Sequence, residues 1–202
     1  MIDITKIDFS KLDGLVPAVV IDAFTDQVLM LGFMNQESLK KTIDSKYVTF
    51  FSRSRKTLWT KGETSGNYLE LMDIKLDCDN DSLMVYAKPA GNTCHTGSYS
   101  CFGVERNDAR FLEYLFKFIQ KRKIELPENS YTTKLFKSGA DRIIQKVGEE
   151  AIETIVAAKN RNKTEILNEV SDLIYHLFVL LAEQNITIEE IGQTLKSRHI
   201  KE

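Results

Sequence analysis

Short runs of apolar residues, separated by turn signals, fill the chain from Gly14 to about Val104. Runs rich in β-branched and aromatic side chains are typical of strands. The pattern predicts strands in the segments LVPAVVID, QVLMLGFM, YVTFFSR, LELMDIKLD and SLMVYA, and one helix near NQESLKKTID. Polar stretches such as SGN, DND and PAGN mark the turns between them. This part of the chain is therefore predicted to be a β-rich α+β domain.

Beyond Glu105 the apolar residues recur at three- and four-residue spacing, which is the period of amphipathic helices. The predicted helices are DARFLEYLFKFIQKRK, ADRIIQKVGEEAIETIVAAKN, TEILNEVSDLIYHLFVLLAEQ and TIEEIGQTLKSRH. The apolar stripe of the second helix consists of Ile143, Val147, Ala151 and Ile155. Pro127 separates the first helix from the rest, and Thr187 followed by Glu190 fits a capping box for the last one.

The change of period near Glu105 predicts two domains. We expect the β-rich α+β domain over residues 1–106 and an all-α helical bundle over residues 107–202. The junction is too short to be a free linker.

The charge balance excludes a generally cationic surface. The chain has 27 Lys and Arg against 29 Asp and Glu, which gives a formal net charge of −2. Any anionic ligand must therefore be held locally, and no nucleic-acid or membrane partner is expected. The first residues lack the pattern of a signal peptide, and the apolar stretch LIYHLFVLLA is shorter than the roughly 20 residues that cross a bilayer. We expect a cytoplasmic protein.

Three aspartates at alternate positions, Asp77, Asp79 and Asp81, follow the predicted strand LELMDIKLD. Side chains alternate between the two faces of a strand, so a strand through this segment would place the carboxylates on one face and Cys78 on the other. Carboxylate oxygens suit Mg²⁺ or Ca²⁺, whereas thiolates suit Zn²⁺. Because the segment lacks the glycine and the final glutamate of a calcium-binding EF-hand loop, Mg²⁺ is the expected cation.

All three cysteines of the chain, Cys78, Cys94 and Cys101, lie close together in the sequence. Clustered cysteines in a cytosolic chain more often indicate metal binding or catalysis than disulfides. Three thiolates with an open fourth position are typical of a catalytic zinc site, whereas a structural site would need a fourth ligand. His95 could be that ligand or, beside Cys94, a general base next to a metal-bound water. Since zinc makes hydroxide available near neutral pH, the cluster indicates hydrolysis.

Basic residues surround a glycine-rich turn upstream of the cysteines. The segment FFSRSRKTLWTKGETSGN contains Arg53, Arg55, Lys56 and Lys61. Cationic side chains placed around such a turn could hold the phosphate of a phosphorylated substrate.

Two acidic pairs lie in the predicted helices, Glu150 with Glu153 and Glu169 with Asp172. Residues three apart lie on one side of a helix. No Lys or Arg follows any of these acids four residues later, and the neighbouring residues are apolar. The acids are therefore predicted to lie near the bundle core, where like charges repel unless a cation lies between them. Four converging carboxylates predict a second Mg²⁺ site.

Two neighbours of these acids extend the candidate site, and a third is expected to have a structural role. Glu149 is a further candidate ligand, because a small helix rotation would exchange it with Glu150. Lys146 is a candidate phosphate contact. His176, on the face of Asp172, is predicted to be a buried, hydrogen-bonded histidine rather than a ligand.

Three motifs make the first part of the chain resemble phosphoribosyl-AMP cyclohydrolase over about residues 15–104. They are LDCDND, GNTCHTGSYSCF and WTKGETSGN. KVGEEAIETIVAAKN with NEVSDLIYHL resembles phosphoribosyl-ATP pyrophosphohydrolase, of the all-α MazG-like class, over about residues 108–200. The tandem resembles the bifunctional enzymes of histidine biosynthesis.

This resemblance implies that the C-terminal domain converts phosphoribosyl-ATP to phosphoribosyl-AMP and pyrophosphate. The N-terminal domain would then open the adenine ring of phosphoribosyl-AMP with zinc-activated water. The resemblance assigns zinc to the three cysteines, with sites shared between two subunits of a homodimer, and Mg²⁺ to the three aspartates and to the two acidic pairs. The resemblance also assigns substrate binding to Arg53, Arg55, Trp59, Lys61, Gly62, Glu63, Ser65 and Asn67, and to Lys146 in the second domain.

Two rival interpretations remain open from the sequence. In one, the C-terminal domain is a general nucleotide pyrophosphatase and the zinc site is only structural. In the other, the N-terminal domain is a zinc-stabilised regulatory or binding module without catalysis. The second predicts that Cys→Ser changes unfold the domain, whereas the catalytic interpretation predicts a folded, zinc-loaded His95→Ala variant with little cyclohydrolase activity.

Overall fold

A computed structural model describes residues 3–199, and the chain divides into two compact units between Phe111 and Leu112. The first unit contains β1 (Val16–Asp22), β2 (Val28–Met34), α1 (Gln36–Ser45), β3 (Thr49–Phe51), β4 (Leu58–Thr60), β5 (Leu69–Leu76) and β6 (Leu83–Pro89). The helices that follow are α2 (Phe111–Glu125), α3 (Tyr131–Ser138), α4 (Ala140–Asn160), α5 (Lys163–Glu183) and α6 (Ile188–His199). The predicted fold class, a β-rich α+β domain followed by an all-helical one, is confirmed.

The first unit is built on a four-stranded sheet of order β2-β1-β6-β5, with a small second sheet of β3 and β4. β1 pairs with β6 in parallel, and the β1–β2 and β5–β6 pairs are antiparallel. Short 3₁₀ helices at Ile4–Lys6 and Ser10–Leu12 precede the sheet, and a third lies at Asp108–Arg110. The five predicted strands and the predicted helix are all present, whereas the three-residue strand β4 was not predicted.

One face of the sheet is buried against α1 and the β3–β4 hairpin. The core between them includes fully buried Val16, Val20, Leu29 and Leu69 of the sheet and Phe50 of the hairpin. Gly32 lies against the Phe50 ring, and a Cβ there would come within 2.3 Å of a ring carbon. A side chain larger than hydrogen at Gly32 would therefore displace this aromatic core residue.

The helical unit has a separate core in which α2, α3, α4 and α5 meet. Phe116 and Ile119 of α2 are buried, and the Phe116 ring meets the Phe178 ring edge-on at 5.4 Å between centroids. Lys123 of α2 donates hydrogen bonds to the carbonyl oxygens of Ala182 and Glu183 at the C-terminus of α5, at 2.9 and 3.1 Å. An ammonium group there adds a donor to the carbonyls at the helix end and complements the helix dipole.

The sequence pattern located the helices better than it located their buried faces. The predicted capping box of α6 is confirmed, since the Thr187 N–H donates to Glu190 and the Glu190 N–H donates to Thr187. The apolar stripe of α4 is not buried along its whole length, because Ile143 is fully buried whereas Ile155 is 68% exposed. The short helix α3 was also missed, although Ser130 caps its start by accepting a hydrogen bond from the Thr133 N–H.

No helix within residues 3–199 has the length and hydrophobicity required to cross a bilayer.

Candidate metal centres

The three aspartates lie in the tight turn that joins β5 to β6. The strand ends at Leu76, so the prediction that alternation along a strand groups these carboxylates is wrong. They nevertheless meet, because ligand oxygens of Asp77, Asp79 and Asp81 all lie within 4.8 Å of one another. A left-handed residue, Asn80, reverses the chain, and the Asp77 carboxylate accepts hydrogen bonds from the N–H groups that follow.

A lysine from the N-terminal segment reaches into this turn. Lys11 Nζ lies 2.9 Å from a carboxylate oxygen of Asp79 and 2.8 Å from one of Asp81. Hydrogen bonding to this ammonium lowers the pKa of Asp81. The backbone adds a second tie, because the Asp8 N–H donates to the Asn80 carbonyl at 2.7 Å. Sequence reasoning missed Lys11, since nothing in its local pattern distinguishes it from a surface lysine.

Cys94 and Cys101 lie side by side in the loop after β6, and their thiols perturb each other's pKa. A hydrogen bond from the Thr96 hydroxyl to Cys94 Sγ, at 3.0 Å, lowers the pKa of Cys94, whereas burial raises that of Cys101. The exposed His95 ring places its Nδ1 3.9 Å from Cys94 Sγ. Two adjacent thiols, one of them biased towards thiolate, are donors that suit zinc.

Cys78 is exposed and stands apart from this pair. Within the described residues, no group of three or more potential ligands with mutually close donor atoms includes a cysteine. A single copy of the chain thus brings together two of the three predicted thiols.

Buried contacts hold the cysteine loop against the sheet. The Tyr99 hydroxyl donates to the Asp22 carboxylate at 2.7 Å, and both residues are buried. Burial raises the pKa of Tyr99 to about 12. The Ser100 hydroxyl donates to the Val28 carbonyl, and the Cys101 N–H donates to the Leu29 carbonyl. Tyr99 and Asp22, which sequence reasoning did not single out, therefore fix the positions of Cys94 and Cys101.

The predicted phosphate-binding residues do not all converge on one place. Arg53 lies over the Phe33 ring, with 3.7 Å from the guanidinium carbon to the ring centroid. Arg53 and Lys56 line a cavity of about 550 Å³ together with Phe33, Phe51 and Asn35. Lys61 is instead near the cysteine pair, where its charge lowers the pKa of both thiols. Arg55 is exposed outside this cavity lining.

The WTKGETSGN segment is held by its own contacts. The Trp59 ring packs on Phe50, with 5.0 Å between centroids, and Glu63 accepts a hydrogen bond from the Thr60 N–H. A Cβ at buried Gly62 would collide with the backbone of Asn67 and Tyr68. Ser65 accepts a hydrogen bond from the Asn67 N–H, and the Asn67 amide donates to the Asn92 carbonyl, beside the cysteine loop. The structure thus gives this segment a conformational role.

In the helical unit α4 and α5 lie side by side and bring their acidic residues together. Ligand oxygens of Glu150, Glu169 and Asp172 all lie within 4.8 Å of one another. Glu153 borders this group, and the negative charge of Glu150 raises its pKa. A raised carboxyl pKa is the expected result of like charges held close without a cation between them.

The predicted burial of these acids is only partly correct. Glu150 is 5% exposed, whereas Glu153 and Asp172 are exposed. For Glu150 the expected lack of an ion pair is wrong, because Lys146 Nζ lies 2.6 Å from Glu150 and 2.9 Å from Glu149. The cation precedes the acids by three and four residues, a direction that the sequence argument did not consider.

Glu149 and Glu150 have different surroundings. Glu149 interacts with Arg142 and Gln145 on the outer side of α4, and the Lys146 ammonium lowers its pKa. Glu150 is the residue that joins the acidic group with α5. Of the two, Glu150 therefore has the geometry of a ligand.

His176 is buried at the base of this group, as predicted. Its Nδ1 lies 2.9 Å from the Asp172 carbonyl oxygen, which can only accept, so Nδ1 carries the proton. Nε2 is then left to accept a hydrogen bond from the Tyr131 hydroxyl at 3.1 Å. The ring ties α3 to α5 through hydrogen bonds directly below the carboxylates.

Comparison with known proteins gives two family matches, one in each unit. Residues 30–103 match phosphoribosyl-AMP cyclohydrolase, and residues 112–199 match phosphoribosyl-ATP pyrophosphohydrolase. The chain is 51% identical over 196 residues to the histidine biosynthesis bifunctional protein HisIE of Bacteroides thetaiotaomicron, covering 96% of both chains. It is 50% identical over 194 residues to the HisIE protein of Escherichia coli K12, again with 96% of both chains covered. The HisIE protein of Campylobacter jejuni is 52% identical over 196 residues, which are 96% of this chain and 95% of that one.

Proposed function

This chain belongs to the bifunctional HisIE family of histidine biosynthesis, with a cyclohydrolase in its N-terminal part and a pyrophosphohydrolase in its C-terminal part, and from this premise we propose which residues carry each activity. The helical unit, of the all-α MazG-like class, removes pyrophosphate from phosphoribosyl-ATP. The β-rich unit then opens the adenine ring of the phosphoribosyl-AMP that results. The observation that carries this division is that each unit has its own donor group, thiols in the first and helix carboxylates in the second.

Zinc would be held by Cys94 and Cys101 with Cys78, a set of soft donors that fits the ion. When bound, zinc lowers the pKa of water to about 7 and so makes hydroxide available for addition to the purine ring. His95, whose ring lies beside Cys94, takes the proton from the attacking water. Lys61 favours the thiolate forms through its charge.

A homodimer would supply the missing thiol. Cys78 stands apart from Cys94 and Cys101 in one chain, so a shared site takes Cys78 from the partner subunit. The solvent-facing side of the sheet supports such a contact, because Leu31 pairs with Val19 and Val19 with Met84 to form an apolar row. Leu31 is 45% exposed and Met84 is 40% exposed. In the helical unit, exposed Ile144, Ile152 and Ile155 on α4 offer a second apolar surface.

Mixing two inactive variants tests the shared site directly. Cys78→Ser and Cys94→Ser proteins are each expected to lose ring opening. In a mixed dimer one site combines Cys94 and Cys101 of the first variant with Cys78 of the second, and is intact. Random reassortment of subunits should therefore restore about a quarter of the wild-type sites. Absence of any recovery after confirmed subunit exchange would contradict sharing.

The carboxylates of each unit are suited to Mg²⁺, with Asp77, Asp79 and Asp81 in the first and Glu150, Glu153, Glu169 and Asp172 in the second. When bound in the helical unit, Mg²⁺ neutralises triphosphate charge and activates water. Lys146, already paired with Glu150, would turn to a phosphate oxygen of the substrate. Arg53 and Lys56 offer cations for the phosphate of the ribotide, next to the aromatic faces of Phe33 and Phe51.

The decisive experiment is an incubation of the purified protein with phosphoribosyl-ATP, Mg²⁺ and Zn²⁺, in which pyrophosphate and the absorbance change of ring opening are both followed. Both products are expected. Pyrophosphate alone from a zinc-loaded protein would favour the rival interpretation, in which the zinc is structural.

The role of His95 has its own test. His95→Ala should retain its fold and its zinc and lose most ring opening, whereas His199→Ala, a change in the exposed last turn of α6, should have normal activity. Normal ring opening in His95→Ala would show that another group takes the proton.

A further inference from the structure

The aspartate turn already holds a cation that belongs to the chain itself. Lys11 Nζ bridges Asp79 and Asp81 at 2.9 and 2.8 Å, although 68 and 70 residues separate Lys11 from these partners. The third aspartate, Asp77, has its Oδ1 engaged by the N–H groups of Asp81 and Ser82. The ammonium therefore lies against the two carboxylates that are less occupied by the backbone of the turn.

A divalent cation and the Lys11 ammonium would compete for the same carboxylates, Asp79 and Asp81. Mg²⁺ binds carboxylate oxygens at roughly 2.0–2.1 Å, a distance that leaves no room for an ammonium at hydrogen-bond distance along the same direction. The two cations would also repel each other. Binding of one at this turn therefore requires the other to move away.

We propose that Lys11 is an internal competitor for the divalent cation of the aspartate turn and sets the affinity of that site. The proposal rests on the proposed function, in which Asp77, Asp79 and Asp81 hold Mg²⁺. The lysine lies in the 3₁₀ helix Ser10–Leu12, so its departure removes one tie between the N-terminal segment and the turn. The hydrogen bond from the Asp8 N–H to the Asn80 carbonyl would remain, and buried Ile7 keeps the segment on the core.

This competition has a consequence for a neighbouring cavity. Leu12, Asp13, Gly14 and Leu15, which follow Lys11 directly, form one wall of the cavity that contains Arg53 and Lys56. Cation binding at the aspartates thus releases the side chain of the residue that directly precedes this wall of the candidate phosphate site. The Lys11 side chain thus connects the aspartate turn with the segment that forms this cavity wall.

The affinity of the turn for Mn²⁺, used as a paramagnetic substitute for Mg²⁺, tests the proposal. Free Mn²⁺ is measured by electron paramagnetic resonance in titrations of the full-length wild type, Lys11→Met and Lys6→Met. The site lost in Asp79→Asn identifies the aspartate turn among the bound ions. Lys6→Met is the matched control, because it removes a charge from the same segment and Lys6 is not paired with the turn.

Lys11→Met should bind Mn²⁺ at the turn roughly three- to tenfold more tightly than wild type, because the groups are partly exposed and their attraction is screened. The difference should shrink as salt is raised. Lys6→Met should match wild type. Equal or weaker binding by Lys11→Met would overturn the proposal, and so would the absence of any Mn²⁺ site sensitive to Asp79→Asn.

Wild-type protein supplies a second measurement that needs no substitution. Acetic anhydride modifies free amines, so Mg²⁺ should increase the labelling of Lys11, read by peptide mass spectrometry, and leave Lys6 unchanged. Labelling of Lys11 that does not respond to Mg²⁺ at saturating concentration would contradict displacement. The ring-opening assay on the same samples reports on the proposed function separately: activity without displacement would reject only the competition, and displacement without activity would reject only the function.

Discussion

In the helical unit the candidate ligands lie on two adjacent helices at fixed three-residue spacing, whereas in the β-rich unit they lie in two loops that distant residues hold in place. Glu150 and Glu153 share a side of α4 through the helix repeat alone. Cys94 and Cys101 come together because Tyr99, between them, is tied to Asp22 on β1. The first kind of site depends on local geometry and the second on tertiary contacts.

This difference determines what each unit tolerates. A helix keeps its ligands aligned as long as it stays packed, so the helical site should respond mainly to changes in the core. The loop site depends on single hydrogen bonds to the sheet, and each of these is a separate point of failure. The comparison can be tested by changes that affect one unit and leave the other as a reference.

The largest effects are expected from a pair of ligand substitutions that dissociate the two activities. Cys94→Ser should reduce ring opening of supplied phosphoribosyl-AMP by at least about 100-fold, and Glu153→Gln should reduce pyrophosphate release from phosphoribosyl-ATP by a similar factor, because even an indirect metal contact is worth 10–100-fold. Each variant should keep the other activity. Initial rates with both substrates provide the measurement.

Glu153→Gln has a second expected result that serves as its folding control. Because Glu150 raises the pKa of Glu153, the acid is less stable when ionised in the fold than in the unfolded chain, and the neutral amide should raise the melting temperature of the metal-free protein. Loss of both activities in either variant would show that the sites are coupled.

A core truncation should separate the units by stability. Ile119→Ala removes a fully buried side chain from the helical core and should cost about 2–5 kcal/mol of unfolding free energy there. Calorimetry should show a lower melting transition for the helical unit and an unchanged one for the β-rich unit. Ile124→Ala, on the same helix but 83% exposed, is the matched control and should leave both transitions in place. Equal shifts in both would mean that the units unfold together.

The smallest effect is expected at the anchor of the cysteine loop. Tyr99→Phe keeps the ring and removes the hydroxyl, so the buried Asp22 carboxylate loses a donor at a cost of about 1–3 kcal/mol. Zinc affinity, read by chelator competition, should fall with it. Tyr47→Phe, on a tyrosine that is 43% exposed, should change neither property.

The pH dependence of Tyr99→Phe follows from the raised pKa. Tyrosine ionises near pH 10 in the unfolded chain and at about 12 in the fold, so the fold loses stability as the pH rises between these values. Urea midpoints of the wild type should therefore fall more steeply above pH 10 than those of Tyr99→Phe. Parallel curves would show that Tyr99 ionises normally in the fold.

The sequence predicted the grouping of the helix carboxylates well because their geometry is local. Helix spacing alone places Glu150 near Glu153 and Glu169 near Asp172. Only the approach of the two pairs depends on the packing of α4 against α5. What the spacing did not reveal was the exposure of Ile155, because a period of 3.6 identifies an apolar stripe but not what covers it.

In the β-rich unit the pattern predicted five of the six strands, and it predicted the grouping of the aspartates for the wrong reason. Asp77, Asp79 and Asp81 meet in a turn, and alternation along a strand plays no part. The contribution of Lys11 could not be predicted, since it depends on the path of the chain over 70 residues. The role of Tyr99 could not be predicted for the same reason, because its hydrogen-bond partner Asp22 lies 77 residues away in the sequence.

The contacts of Lys123 limit how short a C-terminal fragment of this protein can be if it is to fold and act alone. A fragment starting at Ser130 would contain every candidate ligand of the helical unit. It would nevertheless leave the last carbonyls of α5 without their ammonium donor and expose the Phe178 ring that Phe116 covers. An autonomous pyrophosphohydrolase excised from this protein should therefore begin no later than Leu112, well before the residues that perform its chemistry.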